Sequence, residues 1–464
     1  MRVPLSLAVD AAKLAGGASR LLHRGSGSTL PGVVARRLHP DVLARLSAQL
    51  NDGMLIVSAT NGKTTTSRML SSILRRTGRF PVHNRAGANL LSGLTAALVD
   101  DASPYGTLRS SVGLFEIDEA TLPLALREMK PRVLLLMNLF RDQLDRYGEL
   151  NTLALAWDAA IRTLPGSTHL ILNVDDPLVA RLAECAPGTV DFFGVDDMRA
   201  GIGRVEHTAD SAICRCGSSL VYERVFYGHL GIYACPSCGW KRPRPTIRAV
   251  AIHDHGMAGT TCDVDVLGDQ RQFELHLPGL YNVYNALAAA AAALRFDTPL
   301  SDVVTGLESF RAAFGRLERV QAADREFVLW LVKNPTGFNE SLRTLLASPG
   351  PKPLAIFIND QIADGLDVSW LWDVDIEYLA ERQSELPWTL VGGSRARDMA
   401  VRLKYAGIDT SRLLIVPNMG EAIEAMRHEA PAGLPVYCFP TYTAMLDLRG
   451  RMVRQGWAQG LRED

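Results

Sequence analysis

The sequence predicts an α/β protein built from two successive βα units, and three observations predict it. An apolar run, Met54-Leu55-Ile56-Val57, opens directly into Ser58-Ala59-Thr60-Asn61-Gly62-Lys63-Thr64-Thr65-Thr66, the pattern of a buried strand turning through a phosphate-holding loop into a helix. Short apolar runs ending in polar residues recur at 113–117, 133–137 and 170–173, as in a parallel sheet with ligands at the carboxyl ends of its strands. A second series starts near residue 318, with runs at 327–332, 354–358, 388–391, 413–416 and 436–439. Helical stretches fit between most of these, so the second half reads as a Rossmann-like unit.

In chain order, residues 1–50 read as one or two helices broken at 25–32. The strand at 54–58 feeds a helix over 64–76 that Gly78 closes. Residues 212–242 interrupt the βα rhythm with two cysteine pairs and several aromatic residues, and an alanine-rich helix follows at 283–294. The boundary between the two βα units falls near 316–320. Three parts result: a helical segment 1–50, a phosphate-binding domain 51–317 and a C-terminal domain 318–464. No internal repeat or low-complexity tract is visible.

Composition narrows the function classes. A length of 464 residues fits about three domains, and 47% hydrophobic residues fill more than one core. The net charge of −1, with no long run of either sign, leaves no footprint for nucleic acid or an anionic membrane. No stretch approaches ~20 continuous apolar residues, so no membrane span is predicted. Asp10 and Lys13 interrupt the weakly apolar stretch 4–15, which reads as a helix rather than a signal peptide. Seven cysteines, four of them clustered, suit a reducing compartment with one metal site better than a disulfide framework. The expectation is a cytoplasmic, multidomain protein.

The phosphate loop sets the chemistry. Gly62 lets the backbone approach an anion, Lys63 brings a point charge to the outer phosphates, and Thr64 offers a hydroxyl to Mg²⁺. Thr60, Asn61 and Thr65 complete the loop and the first helical N–H groups. The general phosphate-loop pattern wants a glycine where this chain has Val57, which points away from GTPases and motor ATPases. Glu116 ends a strand in Phe115-Glu116-Ile117-Asp118-Glu119 and is the candidate partner of Thr64 on Mg²⁺. Asn138 begins Asn-Leu-Phe-Arg-Asp-Gln-Leu-Asp-Arg-Tyr-Gly, and Asn173-Val174-Asp175-Asp176-Pro177 follows. Asn282 and Asn285 lie at the start of the alanine-rich helix, where they either cap it or pair with an adenine edge. Arg316, in Phe314-Gly315-Arg316-Leu317-Glu318, sits at the domain boundary, where a guanidinium fork clamps phosphate oxygens on closure. Cys214-Arg215-Cys216 and Cys235-Pro236-Ser237-Cys238 have the spacing of a zinc ribbon, with the four thiolates as ligands of a structural Zn²⁺. Cys185, Cys262 and Cys438 read as core residues.

Together these strings resemble the Mur ligase superfamily over roughly residues 50–340. The resemblance implies ATP-dependent activation of a carboxylate as an acyl phosphate, which an amine then attacks. Three departures narrow it. Only about fifty residues precede the phosphate loop, fewer than a UDP-sugar-binding domain needs. Val332-Lys333-Asn334-Pro335 follows a strand in which Trp330 holds a slot that is acidic in ordinary Mur ligases. No lysine is identified as a carbamate bridging metals.

The C-terminal half carries the most specific string, Asn359-Asp360-Gln361-Ile362-Ala363-Asp364-Gly365-Leu366-Asp367-Val368-Ser369-Trp370-Leu371-Trp372-Asp373-Val374-Asp375. With Pro440-Thr441-Tyr442-Thr443-Ala444-Met445-Leu446, it closely resembles the MurT family, the Mur-ligase-like subunits of lipid II isoglutaminyl synthases. By that resemblance the reaction is amidation of the D-glutamate α-carboxyl of the lipid II stem peptide, with ATP at Lys63, Thr64 and Glu116. The ammonia comes from a GatD-like class I glutamine amidotransferase partner, because this chain has no Gly-x-Cys-x-Gly glutaminase elbow of its own. The ligase subunit also lends a carboxylate to the partner's Cys–His pair, with Asp373 and Asp375 ranked first and Asp367 third. A lipid-linked substrate places the complex at the inner face of the membrane. Two other readings stand beside this one. A folylpolyglutamate-synthetase-like ligase shares the early phosphate loop, and a decayed ligase would act as a nucleotide-binding scaffold.

Overall fold

A computed structural model describes residues 3–21, 29–84, 87–141, 150–202, 213–311, 316–322, 325–431 and 433–458. The apolar runs of the first half become β1 (Gly53–Ser58), β2 (Val82–His83), β3 (Val112–Ile117), β4 (Val133–Leu136), β5 (His169–Asn173) and β6 (Val190–Val195). A hairpin follows, β7 (Val221–Tyr227) and β8 (Leu230–Ala234), and then β9 (Ile247–Asp254), β10 (Thr260–Val266) and β11 (Asp269–Leu275). Nine of these form one sheet in the order β11-β10-β9-β6-β5-β4-β1-β3-β2, while β7 and β8 form a separate two-stranded sheet. The six strands from β2 to β6 run parallel, and β9–β11 extend the sheet as an antiparallel meander.

The pleat explains why β1 is apolar without interruption. Leu55 and Val57 point into a core shared with the helices Lys63–Arg76, Leu280–Leu294 and Leu300–Ser309. Met54 and Ile56 point the other way, into a core shared with Leu91–Asp101, Leu122–Glu128, Leu150–Ile161 and the N-terminal helices. The alanine run is the price of proximity: residues 286–293 are all buried where Leu280–Leu294 lies on the sheet.

The N-terminal segment holds three helices, Leu5–Leu21, Leu30–Leu38 and Val42–Ser47, where the sequence suggests one or two. The expected break at 25–32 extends too far, because Pro31 and Gly32 lie inside the second helix. Proline is at home in a first helical turn. Gly32 is buried against the helix Leu91–Asp101, where a Cβ would collide with the Ser92 carbonyl.

The second series forms β12 (Arg316–Ala322), β13 (Arg325–Trp330), β14 (Leu354–Phe357), β15 (Thr389–Gly392), β16 (Leu413–Ile415) and β17 (Val436–Pro440). Their order is β12-β13-β17-β14-β15-β16, parallel except for the β12–β13 hairpin. Trp330 ends β13 in the core, edge-on to Phe439 with ring centroids 5.5 Å apart.

Candidate active site

β1 lies between β3 and β4, so the loops leaving these three strands meet at one edge of the sheet, the usual place for a ligand in an open parallel sheet. The loop after β1 is pinned from below by the segment after β4. Asn138 accepts from the Asn61 N–H at 2.9 Å and donates its amide to the Asn61 carbonyl at 3.0 Å. The Thr60 hydroxyl donates to the Phe140 carbonyl at 3.2 Å and accepts from the Phe140 N–H at 3.0 Å. Gly62 has φ +90°, and a Cβ there would run into the amide of Asn285. Only glycine satisfies both the turn and that contact.

Lys63 begins the helix and folds its side chain back over the loop. Its ammonium donates to the carbonyls of Ala59 and Thr60 and to Glu119 Oε2, the last at 2.8 Å. Both members of the Lys63–Glu119 pair are buried. Glu116, one turn of chain earlier, is buried at 2% exposure, and its Oε2 has no hydrogen-bond partner. Asn84 exchanges hydrogen bonds with the Glu116 backbone at 2.9 and 3.0 Å, fixing the strand end. A buried carboxylate with an idle oxygen is costly unless a cation completes it, so the donor set fits Mg²⁺. Thr64 is partly buried and Thr65 buried, both in the first turn of the helix.

Asn282 and Asn285 are both buried in the first turns of Leu280–Leu294. They do not cap it. Gly279 is the N-cap, and the Asn282 amide donates to the Pro278 carbonyl at 2.8 Å. Asn285 donates to Asn282 Oδ1 at 3.1 Å and accepts the Thr66 hydroxyl at 3.3 Å. The pair therefore braces the phosphate loop from the side. In Asn173-Val174-Asp175-Asp176-Pro177, Asp175 is wholly buried against Arg242 at 2.5 Å and the Tyr284 hydroxyl at 2.8 Å. Burial nonetheless pushes its carboxyl up. Asp176 caps the helix Pro177–Ala180 and accepts the Leu139 N–H at 2.8 Å. This string therefore organises the site from behind.

The second sheet presents its own carboxyl edge to the same place. Lys333 Nζ donates to the Thr60 carbonyl at 3.2 Å. Asn334 and Asn61 exchange side-chain amide bonds at 2.9 and 3.2 Å, while Asn334 also caps the helix Pro335–Ala347 through the Gly337 N–H. The side chain of Arg316 and the residues Phe314 and Gly315 lie outside the described residues, as does most of the string after Arg141.

Of the three partner-facing candidates, the structure keeps two at the surface. Asp375 is buried, accepts the Asn339 amide at 3.0 Å and donates its own N–H to Asn339 Oδ1 at 2.9 Å. It is tied into the helix Pro335–Ala347, so of the two candidates ranked first Asp373 is the one at the surface. Asp367 is exposed and accepts the Ser369 N–H and hydroxyl, which hold its carboxyl below the usual range. Asp373 is part-exposed, 3.6 Å from Arg141. Around them Ile362, Leu366, Trp372 and Tyr405 are each more than half exposed.

Comparison with known proteins places this arrangement. Residues 57–215 match the model of the Mur ligase middle domain, and residues 331–445 match that of the MurT ligase C-terminal domain. The chain is 32% identical over 427 residues to the lipid II isoglutaminyl synthase (glutamine-hydrolyzing) subunit MurT of Streptococcus pneumoniae, covering 92% of each chain. It is 33% identical over 406 residues to the protein of the same name from Staphylococcus aureus, covering 87% of this chain and 88% of that one. The chain belongs to the MurT family. By that membership it is an ATP-dependent ligase of the Mur ligase superfamily. In fold it resembles a pseudomurein peptide ligase type C from Methanothermus fervidus, with TM-score 0.66 and 22% identity over 87% of this chain and 78% of that one. It also resembles a MurF ligase from Thermotoga maritima solved with ADP, with TM-score 0.62 and 15% identity over 90% and 84%.

One further feature sets this MurT-family chain apart from a bare ligase core. The sulfurs of Cys214, Cys216, Cys235 and Cys238 lie within 4.8 Å of one another, and none is in a disulfide. Two of the separations are 3.5 and 3.6 Å, close to the spacing of four thiolates around a tetrahedral ion, so the cluster can hold a metal ion. Cys185, Cys262 and Cys438 are buried singly. Two residues at the phosphate loop escape a reading of the sequence. Glu119 is one of three carboxylates in a string of five residues, and Lys333 stands only as a departure from the superfamily pattern.

Proposed function

We propose that this chain is the ligase subunit of a lipid II isoglutaminyl synthase, amidating the D-glutamate α-carboxyl of the stem peptide to D-isoglutamine. The observation that carries the reading is the meeting of a paired phosphate-loop lysine with a second domain whose Lys333 and Asn334 touch that loop, in a chain alike to MurT proteins over nine-tenths of its length. ATP binds over residues 60–65, with Lys63 released from Glu119 to meet the outer phosphates. Asn282 and Asn285 hold the loop and face the adenine side, and Arg316 closes over the phosphates. Glu116 and Thr64 hold Mg²⁺, which supplies charge neutralisation on the transferring phosphoryl group. The substrate carboxylate attacks the γ-phosphorus and ADP leaves. Ammonia then attacks the acyl phosphate carbon, phosphate leaves, and the amine gives up a proton.

In this reading the ATP-binding domain spans 51–317, behind the helical segment 1–50, with a zinc ribbon inserted at 212–242. The Rossmann-like domain 318–464 carries the partner-facing loop. Zn²⁺ occupies the four cysteines, and elemental analysis of the purified chain should return about one zinc per chain, lost in Cys216→Ser. A lipid-linked substrate puts the complex at the inner face of the membrane. Among the described residues no helix is long and apolar enough to cross one.

Ammonia comes from a GatD-like class I glutamine amidotransferase seated on the exposed Ile362, Leu366, Trp372 and Tyr405. Asp367 or Asp373 orients the partner's histidine. The test separates the two half-reactions. Asp367→Asn and Asp373→Asn are each assayed with the partner, using either glutamine or an ammonium salt. The contributing carboxylate, once neutralised, should lower glutamine-driven amidation by about 10²-fold or more while ammonium-driven amidation stays within about twofold. Full glutamine-driven activity in both variants, and in their double, would sink the assignment.

A further inference from the structure

The β7–β8 hairpin carries nothing that the reaction above uses, yet its tip is buried at the centre of the site's framework. The hairpin grows from the cysteine cluster, with Cys214 and Cys216 before β7 and Cys235 and Cys238 after β8. It is stitched to the strand end behind the phosphate loop, through Gly231 N–H to the Asp175 carbonyl at 2.9 Å and the Tyr233 hydroxyl to the Val174 carbonyl at 2.9 Å. Gly228 and His229 form the turn. Gly228 has φ +55°, and a Cβ on it would stand 3.0 Å from Phe140 Cε1 and 3.3 Å from Thr336 Cγ2. One residue thus touches the brace of the phosphate loop and the first turn of the C-terminal helix Pro335–Ala347.

His229 completes the junction. Its side chain is wholly buried, with Nε2 3.2 Å from Asp176 Oδ2 and the ring centroid 4.9 Å from that of Phe140. Asp176 in turn holds the Leu139 N–H, and Phe140 exchanges two hydrogen bonds with Thr60. On the other flank, Arg343 from the same C-terminal helix donates to the Phe226 carbonyl near the end of β7 at 2.9 Å. Neither ring nitrogen of His229 has a hydrogen-bond partner among the described residues, so the imidazole is held in place by its packing between Asp176 and Phe140.

We propose that the Gly228–His229 tip is a positioning element for nucleotide binding. It fixes residues 139–140, and through them Thr60, and it offers Thr336 and Arg343 a seat when the C-terminal domain rests on the phosphate loop. Neither residue touches the nucleotide. The inference rests on the reading that the loop after β1 holds ATP.

The test is equilibrium binding of MgATP to the full-length chain, made for the unaltered protein, His229→Ala, His229→Asn and Gly228→Ala. Circular dichroism confirms that each is folded. His229→Ala and Gly228→Ala should weaken MgATP by about tenfold, as small displacements of a phosphate site do. His229→Asn, which keeps a polar side chain beside Asp176, should remain within about threefold of the unaltered protein. Unchanged affinity in folded His229→Ala and Gly228→Ala would overturn the proposal. So would equal losses in His229→Ala and His229→Asn, which would mark a packing defect only. An unaltered chain that binds no MgATP would instead remove the reading of the loop itself, and the proposal with it.

Discussion

Lys63→Met is expected to lower ATP-dependent turnover by about 10²–10³-fold, because it removes the ammonium that the phosphate loop itself supplies. The same change has a second effect that the structure makes separable. Lys63 is the partner of Glu119, and both are buried. Deleting the cation leaves a carboxylate in the interior, which costs about 3–5 kcal/mol for a buried pair broken on one side. Lys63→Met should therefore be both inactive and less stable to urea. The double variant Lys63→Met/Glu119→Gln should regain most of the stability and none of the turnover. If the double variant stayed as unstable as the single one, the Lys63–Glu119 pair would not be the resting partner described above.

Glu116→Gln is the second large effect, and its two consequences have opposite signs. One Glu116 oxygen is buried without a partner, so the isolated chain carries a buried polar atom that lacks its complement. Replacing the carboxylate by an amide should raise stability in the absence of nucleotide and metal by roughly 1 kcal/mol. Turnover should fall by about 10²-fold or more, because the magnesium site loses its charge. Excess Mg²⁺ should recover part of that loss. Denaturant melts of the apo chain, together with a magnesium titration of turnover, check both signs. A destabilised apo chain with normal magnesium dependence would remove Glu116 from the cation site.

What was legible in the sequence was local. The phosphate loop announces itself because strand, glycine, lysine and helix are contiguous, and the pleat then dictates that Met54 and Ile56 face one core while Leu55 and Val57 face the other. The four cysteines were legible for the same reason, since their spacing brings the sulfurs together whatever surrounds them. Where neighbours in space are distant in sequence, the reading thinned. Asp367, Asp373 and Asp375 are equivalent as a string, and only Asn339, thirty-six residues away, draws Asp375 inward. For the asparagine pair at 282 and 285 the sequence left a helix cap and an adenine contact both open, because the pair begins a helix. Its partners are Pro278 and Thr66, and the cap is Gly279. The antiparallel meander β9–β11 went unread, because its alternating polar faces carry no motif and its pairing is set by register with β6. Gly228 and His229 were invisible for a further reason. A glycine–histidine turn carries no chemistry until Phe140, Asp176 and Thr336 are seen around it.

The most direct test of the central claim is a mass measurement on the stem peptide of lipid II. The chain is co-expressed with the glutaminase-like partner and given ATP, Mg²⁺ and glutamine, and the released muropeptide is weighed. The expected result is a loss of about one mass unit, the change from carboxyl to carboxamide, located at the D-glutamate α-carboxyl and abolished by Lys63→Met. An unchanged mass, with ATP consumed only when a folate and glutamate are supplied, would contradict it.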